Sequence, residues 1–274
     1  MIDVTGIELL AIDLDDTLLN DDLEISQRTV RAIGQAIEAG LHITLSTGRM
    51  YRSAVPYARE LDLNIPLITY QGALVRTAET KETLYQKNVP AELAKEVIKD
   101  FRAEGFPINI YLDDILYVEE DTQENRDYAA MAGVEMHVAG MLDDYIDKMQ
   151  LEPIKVLAIG DEQKLDNLAV ILRERYRKKL YITKSKPYFL EVLHPEATKG
   201  NGLKAVVEHL GLRRENVAAI GDSFNDLTML DYSELSVVMG NAKETIKEHA
   251  DIVIGHNNED GVAIFIEKYF LKRK

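Results

Sequence analysis

Apolar and polar positions alternate along this chain in blocks that predict a strand, then a helix, then a strand again. Ile7 to Ile12 is mostly apolar, without Gly or Pro, and reads as a buried strand of a parallel sheet, although so short a run also fits a helix segment. Ser26 can cap a helix whose apolar positions Val30, Ile33 and Ile37 recur at helical spacing, with Gly40 as the stop. A strand over Leu41 to Ser46, a helix from about Met50 to Leu61 and a strand over Pro66 to Thr69 follow. Such alternation builds right-handed βαβ units, hence a parallel sheet covered by helices on both faces. Ligands of these sheets bind at the carboxyl ends of the strands.

From about Lys87 the rhythm changes. A helix from Pro90 to Ala103 precedes a hairpin, Ile108 to Leu112 and Ile115 to Glu119, turning at Asp113-Asp114. A helix near Gln123 to Met131, a strand Ile154 to Ile159, a helix Glu162 to Arg177 and strands Leu180 to Thr183 and Tyr188 to Leu193 complete a block large enough for its own core. The βα alternation then resumes, with Lys199 ahead of a helix from about Asn201 to Leu210, a strand Val217 to Ile220, and two further strand and helix pairs. The expectation is an α/β fold: a doubly wound parallel-sheet core over 1–85 and 190–274, with an α+β domain over 86–189 inserted into it.

The polar breaks between these blocks carry the candidate chemistry. The first strand ends in Asp13-Leu14-Asp15-Asp16, three carboxylates within four positions. Charges clustered at a buried strand end must be protonated, paired or bound to a metal, because each uncompensated one costs several kcal/mol. A solvated acidic turn is one reading, and Mg²⁺ held by Asp13 and Asp15 at a phosphate is another. A calcium loop counted from Asp13 puts Leu18 where the sharp turn needs Gly, and a strand leads into it where a helix should, so calcium is set aside. Further breaks are Thr47-Gly48-Arg49, Lys199, and Gly221-Asp222-Ser223-Phe224-Asn225-Asp226.

Composition narrows the partners. Lys plus Arg number 32 against 47 Asp plus Glu, a formal net charge of −15 that repels nucleic acid and anionic membranes. The chain has no Cys, which excludes disulfides and a Cys nucleophile and fits a reducing compartment. No apolar run approaches the roughly 20 residues that span a bilayer, and no basic start leads into an apolar core, so a cytoplasmic protein without nucleic-acid or membrane partners is expected. Gly200-Asn201-Gly202 with Ala205 resembles a dinucleotide fingerprint but lies six residues from the nearest strand, where the fingerprint follows directly. The six His residues show no metal spacing.

Taken in order, Asp13 with Asp15, Thr47 with Gly48, Lys199, and Asp222 with Asn225 and Asp226 match the four signature motifs of the haloacid dehalogenase-like (HAD) hydrolase superfamily. The segments Asp-Leu-Asp-Asp-Thr-Leu-Leu, Ser-Thr-Gly-Arg and Gly-Asp-Ser-Phe-Asn-Asp resemble its Cof-type phosphatases, as do Met239-Gly240-Asn241-Ala242 and Glu259-Asp260-Gly261-Val262. The inserted block resembles the class IIB cap of that branch. The resemblance implies a Rossmann-like core and a phosphatase whose nucleophile is Asp13, with Asp15 as general acid and base. It further implies Mg²⁺ held by Asp13, the Asp15 carbonyl and Asp222, and Asp226 behind them, orienting Lys199 or a metal-bound water.

Thr47, Lys199, Asn225 and the backbone N–H groups around Leu14 and Gly48 are the implied phosphate contacts. Arg49, Gln71 and Gly72 lie on core loops and are the expected leaving-group contacts, although Gln71 stands where the family more often has Asn. Asp16 replaces a frequent Gly. A carboxylate at Asp15 favours hydrolysis of a phosphate ester or a phosphomutase over transfer to carbon. The substrate is then a small-molecule phosphate, a sugar phosphate first. The alternatives are a phosphomutase and a non-catalytic regulatory protein that binds phosphate ligands, and a monomer or weak homo-oligomer is expected.

Overall fold

The computed structural model describes residues 4–63 and 65–271. In chain order the first elements are β1 (Leu9–Asp13), α1 (Gln27–Glu38), β2 (His42–Ser46), α2 (Tyr51–Glu60), β3 (Pro66–Thr69), β4 (Leu74–Thr77) and β5 (Thr83–Gln86). Next come α3 (Ala91–Ala103), β6 (Ile108–Leu112), β7 (Ile115–Val118), α4 (Gln123–Ala132), β8 (Met136–Val138) and α5 (Leu142–Met149). They are followed by β9 (Lys155–Ile159), α6 (Glu162–Tyr176), β10 (Tyr181–Thr183) and β11 (Phe189–Leu193). The chain finishes with α7 (Lys199–His209), β12 (Val217–Gly221), α8 (Leu227–Tyr232), β13 (Leu235–Val238), α9 (Glu244–Lys247), β14 (Ile252–Val253) and α10 (Gly261–Ile266).

The chain divides into two compact units. One holds residues 1–47, 54–85 and 198–274, and the other holds 48–53 and 86–197. The first unit carries an eight-stranded sheet in the order β14-β13-β12-β1-β2-β3-β4-β5. From β14 to β3 every pairing is parallel, and β4 turns back antiparallel onto β3. The mixed α/β class expected from the alternation is borne out. Leu9, Leu10, Ala11 and Ile12 of β1 are all fully buried, as a central strand covered on both faces requires. Leu9 and Ala11 pack with Leu203, Val206 and Val207 of α7, with Val217 and Ala219 of β12, and with Met229 and Leu230 of α8. The chain runs from β1 towards β2 and β3 on one side and returns as β12 on the other, so the strand order reverses at β1. That reversal opens a crevice at the carboxyl ends of β1 and β12.

The second unit is a six-stranded sheet, β10-β11-β9-β6-β7-β8, mostly antiparallel, with β8 parallel to β7. Its apolar core is its own: Val97, Ile98 and Phe101 of α3 and Leu165, Leu168 and Leu172 of α6 pack against Ile108, Ile110, Val156, Ala158, Leu190 and Val192. The unit extends beyond the boundaries read from sequence at two places. Residues 190–197 belong to it because β11 pairs with β9 and β10. Residues 48–53 belong to it because its side chains hold their backbone. Lys155 Nζ, in a buried ion pair with Glu191 at 2.6 Å, donates to the Gly48 carbonyl at 3.2 Å. The Asp114 carboxylate accepts from the N–H groups of Tyr51 and Arg52 at 3.0 and 3.1 Å.

Candidate active site

Asp13 is the last residue of β1, buried, and in register with Ser46 at the end of β2. The chain then leaves the sheet in a tight turn in which Asp15 keeps extended backbone and Asp16 takes φ 61°, ψ 8°. A left-handed residue here is the physical reason Gly suits the position; Asp tolerates the conformation better than most side chains. Leu14 is fully buried.

Lys199 arrives from the far end of the sequence. It is the first residue of α7, not a residue ahead of it, and the cap is Thr198, whose hydroxyl accepts from the N–H of Asn201. The ammonium is buried, bonded to Asp13 Oδ1 and to Asp226 Oδ1, the latter at 2.6 Å. Gly72 makes that approach possible: at φ 97°, a Cβ on it would lie 2.0 Å from the Thr198 carbonyl oxygen. Gly72 therefore seats the start of α7.

Asp226 is fully buried, and its other oxygen accepts from the N–H groups of Asp222 and Ser223, both at 3.0 Å. It thus closes the turn after β12 and pairs with Lys199 at once. Gly221 leaves the space, since a Cβ there would sit 2.5 Å from the Asp226 carboxyl carbon. Asp222 lies one residue past β12 and accepts from the Thr17 hydroxyl at 3.1 Å. Carboxylate oxygens of Asp13, Asp222 and Asp226 lie within 4.8 Å of one another.

One ammonium does not balance three carboxylates. Burial, followed by the negative charges of Asp226 and Asp222, holds the Asp13 carboxyl well above its ordinary range against the opposing pull of Lys199. Burial, then Asp226, pushes Asp222 up to about 7. Lys199, flanked by two carboxylates, is held above the ordinary lysine range despite its burial, and stays charged. A group of hard oxygen donors with an unmet demand for positive charge fits a small divalent cation.

Thr47 follows β2, fully buried, and its main chain is fixed on both sides: its N–H donates to the Ile68 carbonyl at 2.8 Å and its carbonyl accepts from Gln71 at 3.0 Å. Gln71, with φ 59°, points its side-chain oxygen at the Asn225 amide, 3.0 Å away. Asp13, Asp222 and Asp226 thus share one cluster with Lys199, while Gln71 and Asn225 form a buried pair. Gly48 and Arg49 group with the second unit. Sequence reasoning passed over Thr17, whose partner is 205 positions away, and Ser46, whose buried hydroxyl has no hydrogen-bond partner among the described residues. Only the strand register, which puts Ser46 beside Asp13, could have marked the latter.

Residues 10–266 match the family of haloacid dehalogenase-like hydrolases. Two curated relatives from Bacillus subtilis are the 5-amino-6-(5-phospho-D-ribitylamino)uracil phosphatases YcsE and YitU. YcsE is 32% identical, with 97% of this chain and 96% of that protein covered, and YitU is 27% identical over 96% and 97%. A solved haloacid dehalogenase-like hydrolase from Bacteroides thetaiotaomicron superposes with a TM-score of 0.86 at 31% identity, covering 96% of this chain and all of that one. The chain belongs to the haloacid dehalogenase-like hydrolase family, as one of its phosphatases.

Proposed function

We propose that this protein hydrolyses small-molecule phosphate monoesters of the sugar and sugar-alcohol class, with Mg²⁺, through an aspartyl phosphate on Asp13. The carrying observation is the carboxylate cluster at the carboxyl ends of β1 and β12, in which buried Asp13 and Asp226 hold the Lys199 ammonium and half-buried Asp222 lies beside them. Phosphate monoesters are among the slowest esters to hydrolyse unaided, and a covalent intermediate divides that barrier in two. The Asp13 carboxylate attacks phosphorus, and the bond to the leaving oxygen breaks while Asp15 delivers a proton to that oxygen. Asp15 then takes a proton from water as the water oxygen attacks phosphorus, the bond to Asp13 breaks, and inorganic phosphate leaves.

Lys199 and the Thr47 hydroxyl, with the N–H groups of Leu14 and Gly48, meet the charge that spreads over the phosphoryl oxygens. Bound by Asp13, the Asp15 carbonyl and Asp222, Mg²⁺ would supply the missing positive charge and polarise the phosphoryl group. Asp226 orients Lys199. Leaving-group selection is assigned to the inserted unit, Arg49 included.

The substrate class rests on the phosphoribityl substrates named for two relatives and on the sugar phosphates expected from sequence. A panel of hexose, pentose and ribityl phosphates, ranked by kcat/KM with Mg²⁺ present, tests it. Polyol and sugar phosphates should lead the ranking, and Asp13→Asn should lower phosphate release by about 10³-fold or more. Full turnover by Asp13→Asn would sink the mechanism. Phosphate retained on another carbon of the same sugar would replace hydrolysis by a mutase.

A further inference from the structure

The two segments near the carboxyl end that resemble the family's closing signatures have no part in the chemistry above, yet the first of them touches the turn that carries Asp15. Asn241 donates its side-chain amide to the main-chain carbonyl of Asp16 at 2.7 Å. Its own side-chain oxygen accepts from the N–H of Asn257 at 3.1 Å, so the amide has a fixed orientation. Asn257 in turn donates to the Leu19 carbonyl at 3.0 Å, and the N–H of Asp21 donates to Asn258 at 3.0 Å. Three successive asparagine contacts, spread over residues 241–258, hold one short turn.

The turn needs such support. Asp16 sits at φ 61° with a Cβ, a conformation that relaxes readily to the right-handed or extended regions. Relaxation would swing the peptide between Asp15 and Asp16, and with it the direction of the Asp15 carboxyl. The Asp16 carbonyl is the atom whose place reports that choice, and Asn241 holds it. That carbonyl belongs to the next peptide, Asp16–Thr17, and on its far side the Thr17 hydroxyl is tied to Asp222.

We propose that Asn241 is a positioning residue for proton transfer: through the Asp16 carbonyl it keeps the Asp15 carboxyl aimed at the leaving oxygen. The proposal rests on the role given to Asp15 above. It predicts a defect that depends on the leaving group, because an alkoxide must be protonated as it departs and a nitrophenolate need not be.

Asn241→Asp keeps the oxygen that accepts from Asn257 and replaces the donor to Asp16 by an anionic oxygen that repels the carbonyl; Asn241→Ala loses both contacts. For each variant, kcat/KM is measured at saturating Mg²⁺ with an alkyl phosphate and with p-nitrophenyl phosphate on the same preparation. Their ratio is independent of how much of the protein is folded. Both variants should lose about 10-fold or more with the alkyl ester and less than about 3-fold with the aryl ester. Asp15→Asn should show the same asymmetry, larger. Equal losses on the two esters, or none, in the Asn241 variants while Asp15→Asn is asymmetric would overturn the positioning role alone. A symmetric Asp15→Asn would overturn the acid role and the proposal with it.

Discussion

At the scale of single residues, the site is defined by a charge imbalance. Asp13 and Asp222 both have carboxyl groups raised by burial and by neighbouring carboxylates. A carboxyl raised in the folded state favours folding while protonated, and that contribution is lost as pH climbs from 3.8, the ordinary value, through about 7 for Asp222. Protein stripped of divalent ions should therefore lose thermal stability across that window. Mg²⁺, binding the ionised form, should raise Tm by several °C at pH 8 and by much less at pH 5. Asp222→Asn should flatten the first trend and abolish the second. A Mg²⁺ increment that is equal at both pH values would contradict this account. The charged members of the cluster were legible in the sequence because each ends a strand or starts a helix. The roles of Asn241 and Thr17 were not: an amide or hydroxyl in a loop has no pattern of its own, and its role appears only when a partner some 200 residues away is known; Ser46, which ends β2, is marked only by its register with Asp13.

Among the elements, α2 has an unusual start. The residue ahead of it is Met50, which carries no acceptor for the first orphan N–H groups of the helix. Asp114, 63 positions away, takes both Tyr51 and Arg52, and its negative charge suits the positive end of the helix. That carboxylate sits in a hairpin turn whose central residues, Asp113 and Asp114, have φ 47° and 59°, the geometry that Asn-Gly favours. Asp114→Gly would ease the turn yet leave two N–H groups without their acceptor. It should cost about 1–2 kcal/mol in urea unfolding, and Asp114→Asn, which keeps one acceptor, should cost less. A gain in stability with Gly would show that the turn, not the cap, dominates.

Elements with a long apolar period or a clean break were readable from the chain, among them β1, β2, β3, the β6–β7 hairpin, α3 and α6. Those that escaped are β4 and β5, β8 with its three largely exposed residues, and α5, which opens on Met141 without a capping side chain. Each is short and half-exposed, so the alternation that betrays a strand or helix never runs long enough to register.

Over the whole molecule, two apolar clusters among the described residues have no member in common: one draws only on 89–192, the other on strands and helices outside the insertion. The carboxylate cluster lies in the latter unit. Calorimetry should thus resolve two transitions, and Mg²⁺ should move one of them upward while the other stays within about 1 °C. A single transition that moves as a whole would mean that the units unfold together. A change of rhythm in the sequence suggests an inserted block, whereas the grouping of 48–53 with the second compact unit has no trace in composition, because it goes with a hydrogen bond from Lys155 to Gly48 and bonds from Tyr51 and Arg52 to Asp114.

The strand that bears Asp13 has one further property. β1 lies mid-sheet, between β2 and β12, and Leu9 pairs with Val217. On the ribosome, where about 5–20 residues are added each second, the second neighbour of this strand emerges roughly 10–40 s after the first residues do. Throughout that interval an apolar, almost uncharged edge stands open to pairing with other chains. The proposed nucleophile is thus carried on the segment most in need of protection during synthesis, and the carboxylate cluster is complete only once β12 and the turn after it have been made.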